Sequence, residues 1–179
     1  MSSFFGRQIW FSRPGLALNC LPAAPIVKPI DSPMNPEAFM QLAIEEARKS
    51  KTPFGAVIVK DKQVVERSGN TVHTDNDPTC HAEVNAIRRL TQRLGEAAPD
   101  EKYTLYSTCE PCAMCAATCF WASISDIVYG VGVDDFADSN PNMIAIRCED
   151  VFKQSPGSYS IKTGLLRDEC RQLHEEFPL

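Results

Sequence analysis

The sequence predicts a three-layer α/β/α sandwich built on one mixed five-stranded sheet. Three observations carry that expectation. The apolar periods run helix, strand, strand, helix, strand, helix, strand, helix, strand, helix, an order that places helices on the faces of a sheet. The first two strands are separated only by Asp61-Lys62 and so form an antiparallel hairpin, whereas the later strands are joined through helices. At 179 residues the chain is long enough for one core of ordinary size.

Residues 1–33 stand apart from this pattern. Phe4, Phe5, Trp10 and Phe11 are mixed with Pro14, Pro22, Pro25 and Pro29, and no helical or strand period survives the prolines. They are read as a flexible N-terminal extension ahead of a domain at 34–179. Arg7 and Arg13 with no acid before Asp31 also suit an organellar transit peptide, and Met34 suits a start of its own. The domain opens with Asn35-Pro36, a capping residue followed by a proline at the first helical position, and Met40, Ala43, Ile44 and Ala47 then recur at helical spacing. Phe54 to Lys60 and Val64 to Ser68 are β-branched and apolar and read as strands. Val84 to Leu94 is helical, Tyr103 to Ser107 a strand, Cys109 to Trp121 a helix and Ile127 to Val131 a strand. After Asn140-Pro141 a short helix is expected to about Phe152, then a strand over Tyr159 to Thr163 and a closing helix over Leu165 to Phe177.

Charge narrows the partners. The whole chain carries 18 basic and 23 acidic residues. Arg7, Arg13 and Lys28 against Asp31 give residues 1–33 a balance of +2, which leaves 15 basic against 22 acidic residues, or −7, for the rest. A domain of that sign lacks the basic footprint a phosphate backbone requires, so a nucleic-acid partner is not expected. No apolar run approaches the ~18 residues of a membrane span. Of the eight cysteines, Cys109, Cys112, Cys115 and Cys119 fall within eleven residues. That clustering reads as metal chemistry in a reducing compartment, the cytoplasm, not as a disulfide framework.

Two stretches carry the chemistry: Thr79-Cys80-His81-Ala82-Glu83 and Cys109-Glu110-Pro111-Cys112-Ala113-Met114-Cys115. His-x-Glu followed by Pro-Cys-x-x-Cys is the signature of zinc deaminases. His81, Cys112 and Cys115 supply three zinc ligands, leaving a fourth position for water, and an open position is what separates a catalytic zinc from a structural one. Glu83, offset by roughly 200° from His81 on a helix, is placed to act on water and substrate as a general acid–base. Pro111 suits the first position of a helix, whose positive end favours the thiolates zinc needs. Two rival readings use the same cysteines. The spacing C-x2-C-x2-C-x3-C is that of a bacterial ferredoxin run, although Phe120 stands where a proline follows the last Cys. Cys109 as a fourth ligand would instead close an inert structural zinc site.

The chain resembles the cytidine/deoxycytidylate deaminase superfamily, and within it guanine deaminases and related nucleoside deaminases. The resemblance rests on Pro53 to Asp61, Gly69-Asn70, Asn76-Asp77-Pro78-Thr79, His81-Ala82-Glu83-Val84 and Ser107 to Cys112 with Met114-Cys115. It covers about residues 34 to 133. Farther on, Thr163 to Cys170 is more similar to the last helix of bacterial tRNA adenosine deaminases. The resemblance implies the cytidine deaminase-like fold, a Zn2+ cofactor, Glu83 as the catalytic residue, at least a homodimer and a small nucleobase or nucleoside as substrate, guanine first. Asn70 matches an asparagine that turns its amide to the substrate ring in that family, and Ala82 is counted with it as a substrate contact. Phe54 and Trp121 are candidates to wall a flat heterocycle. Asp135, with Asp134 and Asp138, is a candidate grip on ring N–H or amino groups, and a neighbour's Asp134–Asn140 loop or its tail from Arg171 is a candidate to complete the pocket. One departure is visible: guanine deaminases like this chain carry a Phe-Asp-Asp segment that the Val131 to Val151 region lacks, Asp134-Asp135-Phe136 having another order.

Overall fold

Five strands, β1 (Gly55–Lys60), β2 (Gln63–Gly69), β3 (Thr104–Cys109), β4 (Asp126–Val131) and β5 (Ser160–Thr163), form one sheet in the order β2-β1-β3-β4-β5. The computed structural model describes residues 35–135 and 144–178. The expectations for residues 1–33, for Asp138 and for a helix opening after Asn140-Pro141 lie outside them. β1 pairs antiparallel with β2 and β3, while β3–β4 and β4–β5 are parallel, so the sheet is mixed as expected. Asp61 and Lys62 both take positive φ, 49° and 60°, the mirror-image turn whose twist suits a two-residue hairpin.

Period-2 alternation sorts the strand side chains into two cores. Ala56, Ile58, Leu105, Ile127 and Tyr129 face a cluster completed by α3 (Ala82–Leu94), α4 (Ala113–Trp121) and α5 (Cys148–Lys153). Val57, Val59, Tyr106 and Val128 face the opposite cluster, completed by α1 (Pro36–Ser50) and α6 (Arg167–Glu176). Each aliphatic side chain buried this way contributes about 1.5–3 kcal/mol, and the two clusters together fix the three layers. Among the described residues no helix is long and apolar enough to cross a membrane.

Helix α1 forms where its sequence signals lie. Asn35 Oδ1 accepts from Ala38 N at 2.9 Å, Pro36 occupies the first turn, and Lys51 ends the helix in the left-handed conformation. Its backbone lies so close to β1 that a Cβ on Gly55 would overlap Ala43 O and come within 2.6 Å of Ala47 N. Gly55→Ala is therefore expected to force backbone apart, costing about 1–3 kcal/mol and lowering Tm by roughly 2–12 °C. Thermal unfolding followed by circular dichroism checks this, and an unchanged Tm would mean that α1 is free to shift.

Three elements differ from expectation. The four-residue helix α2 (Val72–Asp75) buries no side chain, so it offers no apolar period to read. Helix α4 does not begin at Pro111: Cys109 still pairs with Val131 and Glu110 N donates to Val131 O at 2.8 Å, holding the chain extended until Cys112 caps the helix. Residues 144–147 are not helical, and helix α5 runs over Cys148–Lys153, its first N–H docked on Glu110 Oε1 at 2.9 Å. The tail through Glu176 packs on its own sheet, with Cys170 and Leu173 fully buried and Arg48 donating twice to Glu176 at 3.1 Å.

The register positions the site. Gly69 lies opposite Gly55, Ala56 opposite Ser107, Ser107 opposite Tyr129 and Tyr129 opposite Thr163. The start of β1 and the ends of the other four strands thus share one edge of the sheet.

Candidate metal centre and active site

Two helices begin at this edge, each on a sequence-predicted ligand: His81 is the N-cap of α3 and Cys112 the N-cap of α4, with Cys115 on the first turn of the latter. Their three ligand atoms lie within 4.8 Å of one another. Cys112 Sγ is 3.5 Å from Cys115 Sγ, and His81 Nδ1 is 3.7 Å from Cys112 Sγ and 3.5 Å from Cys115 Sγ. Zinc bonds of about 2.3 Å to sulfur and 2.0–2.1 Å to nitrogen require tetrahedral edges of about 3.5–3.6 Å between sulfur and nitrogen and about 3.8 Å between two sulfurs. The three observed edges fit one face of such a tetrahedron. Contact with Cys115, assisted by His81, lowers the Cys112 thiol to about 4, while the same contact and burial push the Cys115 thiol up.

Glu83 sits behind the ligands, 5% exposed. Its Oε1 accepts from Ser107 Oγ at 3.0 Å and its Oε2 lies 3.5 Å from Cys115 Sγ. Burial raises its carboxyl above the usual range, which suits a group that must both take and return a proton.

The rival uses of the cysteines find no support in the geometry. Cys109 Sγ is 3.1 Å from His174 Nε2 and 3.8 Å from Pro53 O, outside the ligand cluster, and Cys119 is fully buried in the core. The four spaced cysteines therefore do not converge on one cluster, and among the described residues no further cysteine joins His81, Cys112 and Cys115 as a fourth ligand.

The expected substrate contacts divide. Asn70 Oδ1 accepts from Val72 N at 3.0 Å and its backbone N–H donates to Phe54 O at 3.2 Å, so both residues are fixed at the sheet edge. With the carbonyl used, Asn70 has its NH2 donors to offer a ligand. Phe54 meets the His174 ring edge-on, with centroids 5.9 Å apart. Ala82, the first residue of α3, is fully buried in the core. Trp121 ends α4, nine residues and about 13 Å along the axis from Cys112, where it is 60% exposed and packs on Phe120. This chain's own metal ligands are not walled by it. Asp135 is ion-paired with Arg167 on α6 and accepts from Gly132 N at 2.8 Å, which lowers its carboxyl below the usual range, the arginine first. It lines a cleft of about 230 Å³ with Tyr129, Arg147 and Arg167, whose walls include none of His81, Glu83, Cys112 and Cys115.

Three polar residues were missed in the sequence. Ser107 orients Glu83, and its inward position was implicit in the alternation from Leu105. Glu110, 6% exposed, accepts from Val133 N and Cys148 N, both at 2.9 Å, and so ties the β4 turn and α5 to the strand that leads into Cys112. Asn85 is buried on α3, and nothing in the apolar period marked it.

A sandwich that brings an imidazole, two thiols and a buried carboxylate to the starts of two helices defines a zinc-dependent hydrolase. Residues 33–131 match the family model described as the cytidine and deoxycytidylate deaminase zinc-binding region, and the chain belongs to that deaminase family. It is 40% identical over 111 residues to a guanine deaminase of Bacillus subtilis, covering 59% of this chain and 70% of the relative. It is 36% identical over 144 residues to a tRNA-specific adenosine deaminase of Agrobacterium fabrum, covering 78% and 91%. A solved structure from work on A-to-I editing by tRNA:A34 deaminases superposes with a TM-score of 0.65 at 34% identity, covering 76% of this chain and 98% of that one. The protein is a hydrolytic deaminase of this superfamily.

Proposed function

We propose that the protein converts guanine to xanthine and ammonia, with His81, Cys112 and Cys115 as zinc ligands and Glu83 as the proton carrier. The observation that carries the reading is the buried Glu83 carboxyl, fixed by Ser107 and 3.5 Å from a ligand sulfur. When bound, zinc supplies Lewis acidity that brings the pKa of water from 15.7 down to about 7. Glu83 takes a proton from water as the oxygen bonds to the ring carbon bearing the amine, and delivers it to the adjacent ring nitrogen. It then carries the second water proton to the amine, the C–N bond breaks, and ammonia leaves. Burial favours proton return as well as uptake because it raises the Glu83 carboxyl above the usual range and so makes its protonated form more accessible. Asn70 offers its NH2 to a ring acceptor and orients the base.

Guanine is supported by the 40% identity to the Bacillus guanine deaminase and by the balance of −7 over residues 34–179, which repels phosphate-rich partners. A homodimer belongs to the same reading, with Trp121, exposed at the end of α4, available to a second copy. One observation favours a second reading, an adenosine within tRNA: the Agrobacterium relative matches over more of the chain. Ammonia release from guanine, guanosine, adenine, cytosine, cytidine and a tRNA anticodon stem-loop separates the two. Guanine is expected to turn over fastest, and activity confined to the RNA would replace guanine with the tRNA substrate.

A further inference from the structure

We propose that Asn85 is the positioning residue that fixes the metal ligand His81 and the candidate substrate contact Asn70 relative to one another. Asn85 lies one turn into α3, and its backbone N–H makes the first helical bond, to His81 O at 2.9 Å. Its side-chain Nδ2 reaches three oxygens: Cys80 O at 3.1 Å, Gly69 O at 3.3 Å and Thr71 Oγ1 at 2.9 Å. Cys80 immediately precedes His81, and Gly69 and Thr71 flank Asn70. A single amide therefore holds the residues on both sides of the candidate substrate contact and the one leading into the metal ligand. Thr71 N also donates to Cys80 O at 3.0 Å, closing the segment between them into a loop pinned at its neck.

The amide is itself held. Asn85 Oδ1 accepts from Arg88 Nη1 at 3.1 Å, and the same guanidinium reaches Cys80 Sγ at 3.5 Å and Thr79 Oγ1 at 3.3 Å. Arg88 thus sets which end of the amide faces the loop, since a guanidinium has only donors and must meet the carbonyl oxygen. Asn85 is 6% exposed, so water does not replace these bonds when they are lost. None of these groups touches the ligand atoms, and their effect is on where His81 and Asn70 are carried by the backbone.

The inference rests on His81 being a zinc ligand, and the experiment separates the two ideas. Asn85→Asp has nearly the same shape but turns an acceptor toward three oxygen acceptors. Zn2+ affinity of the purified full chain is measured by competition with a chromophoric chelator, alongside the visible spectrum of the Co2+-substituted protein and the Tm of the metal-free form. Zn2+ binding is expected to weaken about 10–100-fold, the range seen when supports of metal ligands are removed, with an altered Co2+ spectrum. Leu173→Ala, in the core on the other side of the sheet, is expected to lower Tm while leaving the Zn2+ dissociation constant and Co2+ spectrum unchanged. Arg88→Met, which leaves the Asn85 amide in place but removes its hold together with the contacts to Cys80 and Thr79, is expected to weaken Zn2+ severalfold and decides the matter if Asn85→Asp does not fold. Wild-type protein that takes up no Zn2+ would overturn the ligand assignment. Wild-type uptake with unchanged affinity in Asn85→Asp, or in Arg88→Met where that variant decides, overturns the positioning role alone.

Discussion

Glu83→Ala is expected to keep its full zinc complement and lose about 10²–10⁴ in kcat, the scale of a positioned general acid–base. The reason is where the carboxyl stands. It is on α3 two residues beyond His81, buried, with one oxygen on Ser107 and the other beside Cys115, so it touches the ligand set without belonging to the three-atom cluster. Removing it leaves the imidazole and both thiols in place and takes away the group that moves protons. Metal analysis of the purified variant beside steady-state ammonia release reads both quantities. Loss of zinc together with activity would make Glu83 a structural support of the metal site and would remove the proton-carrier role.

The sequence disclosed what repeats and what clusters. The strand hairpin was legible because Asp61-Lys62 separates two β-branched runs, and the ligand set because His81, Cys112 and Cys115 are chemically distinctive at short spacing. It disclosed less where a residue's role depends on partners far along the chain. Asp135 read as a substrate grip because its partner Arg167, thirty-two residues on, gave no local sign of pairing with it. Trp121 read as a candidate wall because its ring suits a flat heterocycle, yet nine residues along α4 carry it away from Cys112. The start of α4 was misjudged for a related reason: Pro111 is a good first helical residue, but the pairing of Cys109 with Val131 prolongs the extended chain past it. Asn85 and Glu110 are the strongest instances. Each is one polar side chain whose meaning is a set of backbone groups that only the folded chain brings together.

The cysteine series sorts the metal site from its neighbours. Cys112→Ser and Cys115→Ser are each expected to abolish stoichiometric zinc, because a serine hydroxyl does not ionise to replace a thiolate and two protein ligands remain. Cys109→Ser, Cys119→Ser and Cys80→Ser are expected to retain it. Cys109 Sγ is directed to His174 and Pro53 O, Cys119 is enclosed in the core, and Cys80 Sγ accepts from Arg88 at 3.5 Å. The stability readout should follow the same division. A ligand that binds only the folded state raises Tm in proportion to the logarithm of its concentration over Kd, so a chelator should lower the Tm of wild type and of the three retaining variants while leaving the two ligand variants unmoved. Elemental analysis and chelator-dependent melting on the six proteins give the answer. Zinc lost equally from Cys109→Ser would mean a closed four-ligand site, and the open coordination position on which hydrolysis depends would go with it.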